Sequence, residues 1–280
     1  MLFVYSDAHL HLVDLEKLDP DFASDLLGLD LLGLDLLGPN LLGPDLPGPD
    51  WVACVASHDR IEWERSESLR ASLPPTFTSY GIHPQTLGTG DRDFLARLAQ
   101  EGRIDCVGEA GFDFFGDRPE RIRNPENLRI QRERFEFQLH LALERNLPLL
   151  VHMRRSTDII MGYGKEMRRL AAVIFHCWPG RAAEGGEFLR KGVNAYFSFG
   201  TPLLRGGPRT TESCTLLPAD RILSETDAPW QPPFGAPHTK IGHISRVAAH
   251  IASLRGMDSG EIGLLLRRNF LRAYTQKELE

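Results

Sequence analysis

The sequence predicts an α/β fold of the TIM (β/α)8 barrel type. Eight short apolar runs have the length and composition of buried strands, and an amphipathic helix-like segment follows most of them. The chain has 280 residues, which suits a barrel built as a single domain. Because strands that alternate with helices pair in parallel, eight such units favour a closed barrel over an open sheet.

The predicted strands carry β-branched and aromatic residues and end in polar or glycine residues. They lie at 2–6, 51–57, 76–81, 104–109, 148–152, 171–176, 194–199 and 221–225. The predicted helices lie at 61–72, 92–101, 126–146, 158–170, 182–191, 241–254 and 259–277. Asp91, just before the second of these helices, is of a residue type that commonly caps a helix amino terminus. No linker divides the chain, so residues 1–280 are predicted to form one domain.

Residues 26–50 interrupt this order with a five-residue repeat, LLGLD LLGLD LLGPN LLGPD LPGPD. Glycine recurs every five residues and proline enters at 39, 44, 47 and 49, which disfavours a helix. The repeat occupies the place of the first helix. We interpret it as a low-complexity Leu/Gly/Pro insertion, with three alternatives open: a leucine-anchored series of turns, a poorly ordered segment, or a short pentapeptide-type β-coil.

Composition limits the possible functions. Hydrophobic residues make up 42% and charged residues 25%, as in ordinary globular proteins. The net charge of −6 argues against a broad basic surface for nucleic acid but allows a local basic cleft. There is no signal-peptide pattern, no apolar run of membrane-spanning length and no CxxC pair. We therefore expect a cytoplasmic protein with free thiols, no membrane association and no obligatory protein partner.

Polar residues stand at the carboxyl ends of several predicted strands, where TIM barrels place their active sites. His9 and His11 are two residues apart, so on a strand they face the same way. The other strand ends contribute a carboxylate or an imidazole each: Glu109, His152, His176 and Asp227. Singly, each could be a hydrogen-bonded core histidine, a turn carboxylate or a helix cap. Together they point to one convergent site, because each would otherwise need a separate explanation.

Mixed imidazole and carboxylate ligands suit zinc, manganese or magnesium. One ion could take His9, His11, Glu109 and Asp227, and a second could share Glu109 and add His152 and His176. Two such ions would activate a water for hydrolysis. Asp227 would orient or deprotonate that water and pass the proton to the leaving group, so Asp227 and the bridging Glu109 are the candidate catalytic residues.

The sequence motifs around these residues resemble those of the TatD family of metal-dependent hydrolases, within the amidohydrolase superfamily. The motifs are Asp7-Ala8-His9-Leu10-His11, Gly81-Ile82-His83-Pro84, Gly108-Glu109-Ala110-Gly111-Phe112-Asp113, His152-Met153-Arg154, His176-Cys177, Glu225-Thr226-Asp227-Ala228-Pro229 and Asn269-Phe270-Leu271-Arg272. The resemblance implies a TIM barrel, a divalent-metal site on the six residues named above, and phosphodiester hydrolysis on DNA. The chain departs from the family's common pattern at Trp178-Pro179-Gly180 and in the loop at 231–240.

Three further residues are candidates for substrate binding. Arg154 shares the face of His152 and could bind a phosphate, or it could form an ion pair on the barrel rim. His83 ends a strand and could support a ligand or contact substrate. Trp178 could stack on a base, although a tryptophan beside a site more often packs in the core.

The preferred function is thus a TatD-like deoxyribonuclease that uses one or two divalent ions. Two alternatives stay open. The same metal site could hydrolyse an amide, ester or lactone of a small molecule, or the barrel could be non-catalytic with a vestigial site. A nuclease is expected to have a Lys/Arg-lined groove, and a small-molecule hydrolase a closed pocket.

Overall fold

A computed structural model describes residues 4–22, 50–71, 73–74, 76–88, 90–116 and 121–275. Its single sheet contains eight parallel strands in the order of the sequence. The strands are β1 Val4–Leu10, β2 Asp50–Ser57, β3 Thr76–Tyr80, β4 Cys106–Asp113, β5 Leu149–Arg154, β6 Val173–Phe175, β7 Ala195–Phe199 and β8 Ile222–Ser224. The TIM-barrel prediction is confirmed.

Helices follow the strands and cover the outside of the barrel. They are α1 Leu12–Leu18, α2 Arg60–Arg70, α3 Arg92–Gln100, α4 Pro125–Arg145, α5 Thr157–Met161, α6 Gly164–Met167, α7 Ala182–Arg190, α8 Pro208–Leu216, α9 His243–Arg255 and α10 Ser259–Thr275. Asp91 caps α3 as predicted, because its carboxylate accepts the Phe94 amide at 2.9 Å. None of the helices in the described ranges is long and apolar enough to cross a membrane.

The chain closes the barrel by joining its first strand to its last. The Ser224 hydroxyl donates to the Ser6 carbonyl at 2.7 Å, and the Asp227 amide donates to the His9 carbonyl at 2.9 Å. The buried carboxylate of Asp7 accepts both the amide and the hydroxyl of Thr226, at 2.8 and 2.6 Å. These bonds fix the ends of β1 and β8 beside each other, which is where two predicted ligand segments lie.

The hydrophobic residues divide between two layers, as the alternation of strand side chains requires. On β2, Val52 and Cys54 face the inner cluster, whereas Trp51, Ala53 and Val55 join the larger cluster under the helices. The last helix supplies three aromatic or small residues to the inner cluster: Phe270, Ala273 and Tyr274. The Tyr274 hydroxyl donates to the Ala8 carbonyl at 2.6 Å, so α10 supports the strand that carries His9.

Two strands break the regular register, and both carry predicted ligands. The β1–β2 register shifts between Asp7 and Leu10, and the β4–β5 register shifts between Val107 and Ala110. Val107 and Ala110 both face the outer cluster although they are three residues apart. The strand therefore contains one extra residue between these positions, which is a β-bulge. The bulge turns the Glu109 side chain into the barrel mouth, and bulges beside functional sites commonly redirect a side chain in this way.

Some elements differ from the sequence prediction. The predicted helix at 158–170 is two shorter helices, α5 and α6, and α1 and α8 were not predicted from the sequence. Strand β1 extends beyond its predicted end, so His9 lies within a strand rather than after it. Strand β4 runs to Asp113, so Glu109 lies in the middle of the strand rather than at its predicted end. The repeat at 26–50 lies outside the described residues except for Asp50, which begins β2.

Candidate metal centre

The six predicted ligands meet at the carboxyl-terminal mouth of the barrel. His9 comes from β1, Glu109 from β4 and His152 from β5. His11 and His176 directly follow β1 and β6, and Asp227 lies three residues after the end of β8. All six are buried, with exposures of 7% or less. Residues up to 218 positions apart in the chain therefore present donor atoms to one point.

The first donor set contains His9, His11, Asp227 and one oxygen of Glu109. The Nε2 atoms of His9 and His11 are 3.1 Å apart. Each lies close to Glu109 Oε1, at 3.3 and 3.4 Å, and to Asp227 Oδ1, at 3.6 and 3.5 Å. Two imidazole nitrogens and two carboxylate oxygens thus surround one small volume.

The second donor set uses the other oxygen of Glu109. Its Oε2 is 2.9 Å from His152 Nδ1 and 3.1 Å from His176 Nε2. The two imidazole nitrogens are 3.2 Å apart. Glu109 therefore lies between the two sets and offers one oxygen to each.

These separations fit divalent ions. Ligands about 2.1 Å from an ion are separated from their neighbours by roughly 3.0 Å in an octahedron and 3.4 Å in a tetrahedron. The distances within the two sets run from 2.9 to 3.6 Å. The donor types, imidazole and carboxylate, are those of zinc, manganese and related ions. The residues present can hold two ions bridged by Glu109.

His58 belongs to the site but was not among the residues predicted from the sequence. It directly follows β2, and its Nε2 lies 3.0 Å from Glu109 Oε1, the oxygen of the first donor set. Its position could have indicated a role, because His58 is the first residue after the predicted strand at 51–57. No histidine-containing motif surrounds it, and no functional residue was predicted at that strand end.

Six histidine rings form a closed circuit around Glu109. Their centroids are separated by 4.7 Å (His9–His11), 5.3 Å (His11–His58), 5.3 Å (His58–His83), 4.6 Å (His83–His152), 5.2 Å (His152–His176) and 4.4 Å (His176–His9). Five of them place a ring nitrogen within 3.4 Å of the Glu109 carboxylate, and His83 is the exception.

In the second donor set, two more carboxylates lie beside the imidazole nitrogens that do not face Glu109. Asp113 Oδ2 is 3.0 Å from His152 Nε2, and Glu225 Oε1 is 3.3 Å from His176 Nδ1. Both carboxylates are held in turn, because Asp113 accepts the Phe115 amide and Glu225 accepts the Cys177 amide. Such partners fix which imidazole nitrogen carries the proton and which faces an ion.

The cluster is strongly coupled electrostatically. Burial alone would raise the pKa of Glu109. The charges of His9 and His176 and the hydrogen bonds from His152 and His176 have the larger effect, and together they hold this pKa well below its usual range. Burial also raises the pKa of Asp227, while a hydrogen bond from His11 and the charges of His176 and His9 lower it to about 2. Both carboxylates are therefore ionised at neutral pH, as metal ligands must be.

Close backbone packing brings β4 and β5 together at the site. A Cβ atom on Gly111 would lie 1.9 Å from the His152 carbonyl, and one on Gly108 would lie 2.4 Å from the Leu150 carbonyl. Any side chain at either position would push β5 away. Glycine on both sides of Glu109 thus allows His152 to reach its carboxylate.

The metal centre opens into a cavity of about 580 Å³. Arg154 lies on its wall, 47% exposed, with its guanidinium 4.0 Å from the Phe115 ring and its Nη1 3.8 Å from Asp113 Oδ2. His83 also lines the cavity; its Nδ1 accepts the Gln85 amide at 3.2 Å, which leaves the ring proton on Nε2. Burial lowers the pKa of His83 well below the usual value, so the ring is neutral.

Trp178 borders the same cavity but belongs to the core. Its side chain is 1% exposed and packs against Phe175, Phe188 and Phe197. The indole has no open face for a base, which corrects the stacking role considered for it. The packing alternative explains this residue.

Comparison with known proteins places these observations in a family. A family model described as TatD related DNase matches residues 6–275. The chain is 28% identical over 227 residues, 79% of this chain and 86% of the relative, to the uncharacterized metal-dependent hydrolase YabD of Bacillus subtilis (strain 168). It is also 28% identical over 231 residues, with the same coverages of 79% and 86%, to the 3'-5' ssDNA/RNA exonuclease TatD of Erwinia tasmaniensis.

A solved structure gives the same result for the fold. YJJV, a TatD homolog from Escherichia coli K12, aligns with a TM-score of 0.77 at 23% identity, covering 98% of this chain and 99% of that chain. At this identity the likeness concerns the fold alone.

Proposed function

This chain belongs to the TatD related DNase family of metal-dependent hydrolases, and we propose that it hydrolyses phosphodiester bonds in DNA. One observation carries the proposal. Two sets of imidazole and carboxylate donors share the single carboxylate of Glu109, with an oxygen for each. This arrangement suits a pair of ions that act on the two oxygens of a displacement at phosphorus.

Two divalent ions bound here, whether zinc, manganese or magnesium, would supply an activated water and would neutralise charge on the phosphodiester. The chain's own residues must then position the reactants and move the proton. His9, His11, His152, His176, Glu109 and Asp227 are the proposed ligands, and Asp227 is also the proposed acid and base.

Asp227 has the geometry for the proton-transfer role. Its Oδ1 faces His9 and His11, and its Oδ2 accepts a hydrogen bond from Gln231 Nε2 at 2.8 Å. The backbone amide of Asp227 is bonded to the His9 carbonyl, so the residue is fixed at the mouth. The ionised carboxylate can take a proton from the attacking water and return it to the leaving oxygen.

Arg154 and His83 are suited to hold the phosphate. The Arg154 side chain is about half exposed, packs over the Phe115 ring and lies 3.8 Å from Asp113, so its guanidinium is accessible to an anion in the cavity. His83 can donate from Nε2 as a neutral ring, which avoids bringing a further positive charge beside the ions. Both residues line the cavity wall next to His152.

A second candidate keeps the metal centre and changes the substrate to an amide, ester or lactone. The net charge of −6 and a cavity of 580 Å³ support it, because pockets of about 300–1,000 Å³ are typical of small-molecule sites. The vestigial-site alternative finds no support, since all six proposed ligands are buried with their donor atoms in contact.

A substrate panel tests the proposal. The purified protein, loaded in turn with manganese, zinc and magnesium, is assayed on single-stranded DNA, duplex DNA, bis-p-nitrophenyl phosphate, and a set of amides, esters and lactones. We expect diester hydrolysis that depends on added metal. Hydrolysis of a lactone or amide with no diesterase activity under any metal would transfer the assignment to the second candidate.

The Asp227→Asn variant tests the proposed mechanism. Loss of the proton-transfer group should lower kcat by roughly 10²- to 10⁴-fold. Asp93→Asn, an exposed carboxylate on α3, is the matched control and should retain full activity. An Asp227→Asn enzyme with wild-type kcat would remove this residue from its role.

A further inference from the structure

Trp230 is the exposed aromatic residue that the cavity wall presents near the metal centre. It lies three residues after Asp227, lines the cavity and is 48% exposed. The other three tryptophans, Trp51, Trp63 and Trp178, are 4%, 2% and 1% exposed. About half of the Trp230 side chain is therefore accessible to a ligand that enters the cavity.

The backbone around Trp230 is held at several points. Its amide donates to the Asp227 carbonyl at 2.7 Å, and its carbonyl accepts the hydroxyl of the buried Thr239 at 2.5 Å. The next residue, Gln231, receives the Thr201 hydroxyl on its carbonyl and donates through its side chain to Asp227. Asp227 and Trp230 are therefore fixed relative to each other by two short connections.

The cavity lining combines apolar and basic side chains. Phe199 and Pro202 line it together with Trp230, and Arg121 and Arg154 line it as well. The guanidinium groups of Arg154 and Arg155 lie 4.0 and 4.7 Å from the Phe115 ring. The cavity thus offers both an aromatic face and guanidinium groups, the combination by which proteins bind single-stranded nucleic acid.

We propose that Trp230 stacks on an unpaired base of the DNA strand whose phosphodiester occupies the metal centre. This inference rests on the proposed function and adds the residue that selects unpaired strands. Every base has an aromatic face, so the contact needs no particular sequence. A paired base keeps its faces within the duplex stack, so the same indole cannot engage it.

Comparison of two oligonucleotides tests the proposal. The wild-type protein and the Trp230→Ala and Trp230→Phe variants are assayed on two single-stranded oligonucleotides. One has all its bases, and the other has the same backbone with abasic residues around the phosphodiester bond that is cleaved. For Trp230→Ala, kcat/KM on the normal strand should fall roughly 10- to 100-fold further than on the abasic strand. The loss should appear mainly in KM, and Trp230→Phe should recover most of it.

Phe234 provides the matched control. It lies in the same loop and is fully exposed, but it does not line the cavity. Phe234→Ala should leave both substrates at wild-type values. An equal fall on normal and abasic strands in Trp230→Ala, or an equal effect of Phe234→Ala, would overturn the stacking role while leaving the diesterase proposal intact.

A binding measurement keeps the inference testable without turnover. Tryptophan emission is followed while a single-stranded oligonucleotide is added to the wild type and to Trp230→Phe. Because Trp230 is the tryptophan with an exposed face, we expect quenching in the wild type and little in the variant. Tight binding without quenching would contradict stacking, whereas absence of any diester hydrolysis in the panel above would contradict the proposed function.

Discussion

Oδ2 of Asp113 lies 3.0 Å from Nε2 of His152, on the edge of the imidazole opposite to the nitrogen that faces Glu109. The carboxylate therefore favours the tautomer with a proton on Nε2 and a lone pair on Nδ1. His152 can then serve as a ligand only through Nδ1, which is the atom that the second donor set requires.

Asp113→Asn should weaken the second metal site. Asparagine can still accept the Phe115 amide but brings no charge to the imidazole, and outer carboxylates of this kind contribute roughly 10- to 100-fold to metal affinity. Titration of the metal-free protein against a chromogenic chelator measures the effect. Asp158→Asn, on the surface beside Arg123, is the control, and unchanged affinity in Asp113→Asn would refute the orienting role.

His58→Ala should weaken the first metal site. His58 contacts Glu109 Oε1, so its loss frees that oxygen to rotate away from His9 and His11. We expect roughly tenfold lower affinity for one ion and little change for the other. His58→Gln, which keeps an N–H donor, should recover part of the affinity, and removal of the exposed His140 on α4 should have no effect. Equal affinity in His58→Ala would show that the contact is incidental.

Glu109→Gln should reduce metal content more than any other single change, because it alters a donor in both sets. We expect elemental analysis to find two ions per chain in the wild type and one or fewer in the variant. Exhaustive chelation of the wild type should lower Tm, since ligands that bind only the folded state stabilise it. The exposed Glu144→Gln variant should retain full occupancy. Two ions in Glu109→Gln would exclude a bridging role.

Cys177 should react slowly with alkylating reagents despite lining the cavity. Burial, reinforced by the charge of Glu225, raises the pKa of its thiol to about 12. A raised thiol pKa keeps the sulfur protonated, so at pH 8 alkylation should be roughly a thousandfold slower than for a free cysteine. The rate should rise about tenfold per pH unit up to pH 10. Iodoacetamide labelling followed by peptide mapping measures it, with Cys177→Ser as the control; rapid labelling at pH 7 would contradict the shift.

The fold and the six-residue cluster could be predicted from the sequence because both rest on periodic features. Parallel strands in sequence order bring their carboxyl ends to one edge, so His152, His176 and Asp227 meet wherever the strands end. Errors of a few residues in strand boundaries do not change that conclusion. The structure accordingly brings His9 and Glu109 to the same mouth, although both lie inside strands.

Other features depend on irregularities that alternation cannot reveal. A regular β4 would point Glu109 and Val107 the same way, out toward the helices, and only the register shift brings the carboxylate inside. The role of His58 depends on a distance to Glu109 across the barrel. The difference between Trp178 and Trp230 depends on packing, since both stand near ligands in the sequence and only one has an exposed face. For the repeat at 26–50, the three alternatives remain predictions.

The closure of β1 against β8 has a consequence for synthesis. Ligands for the first ion come from residue 9 and residue 227, and the helix that supports β1 ends at Thr275. A chain growing from its amino terminus holds His9 and His11 long before their partners exist. The six proposed ligands are therefore complete only after Asp227 has been synthesised, and a nascent chain has no complete metal site before that point.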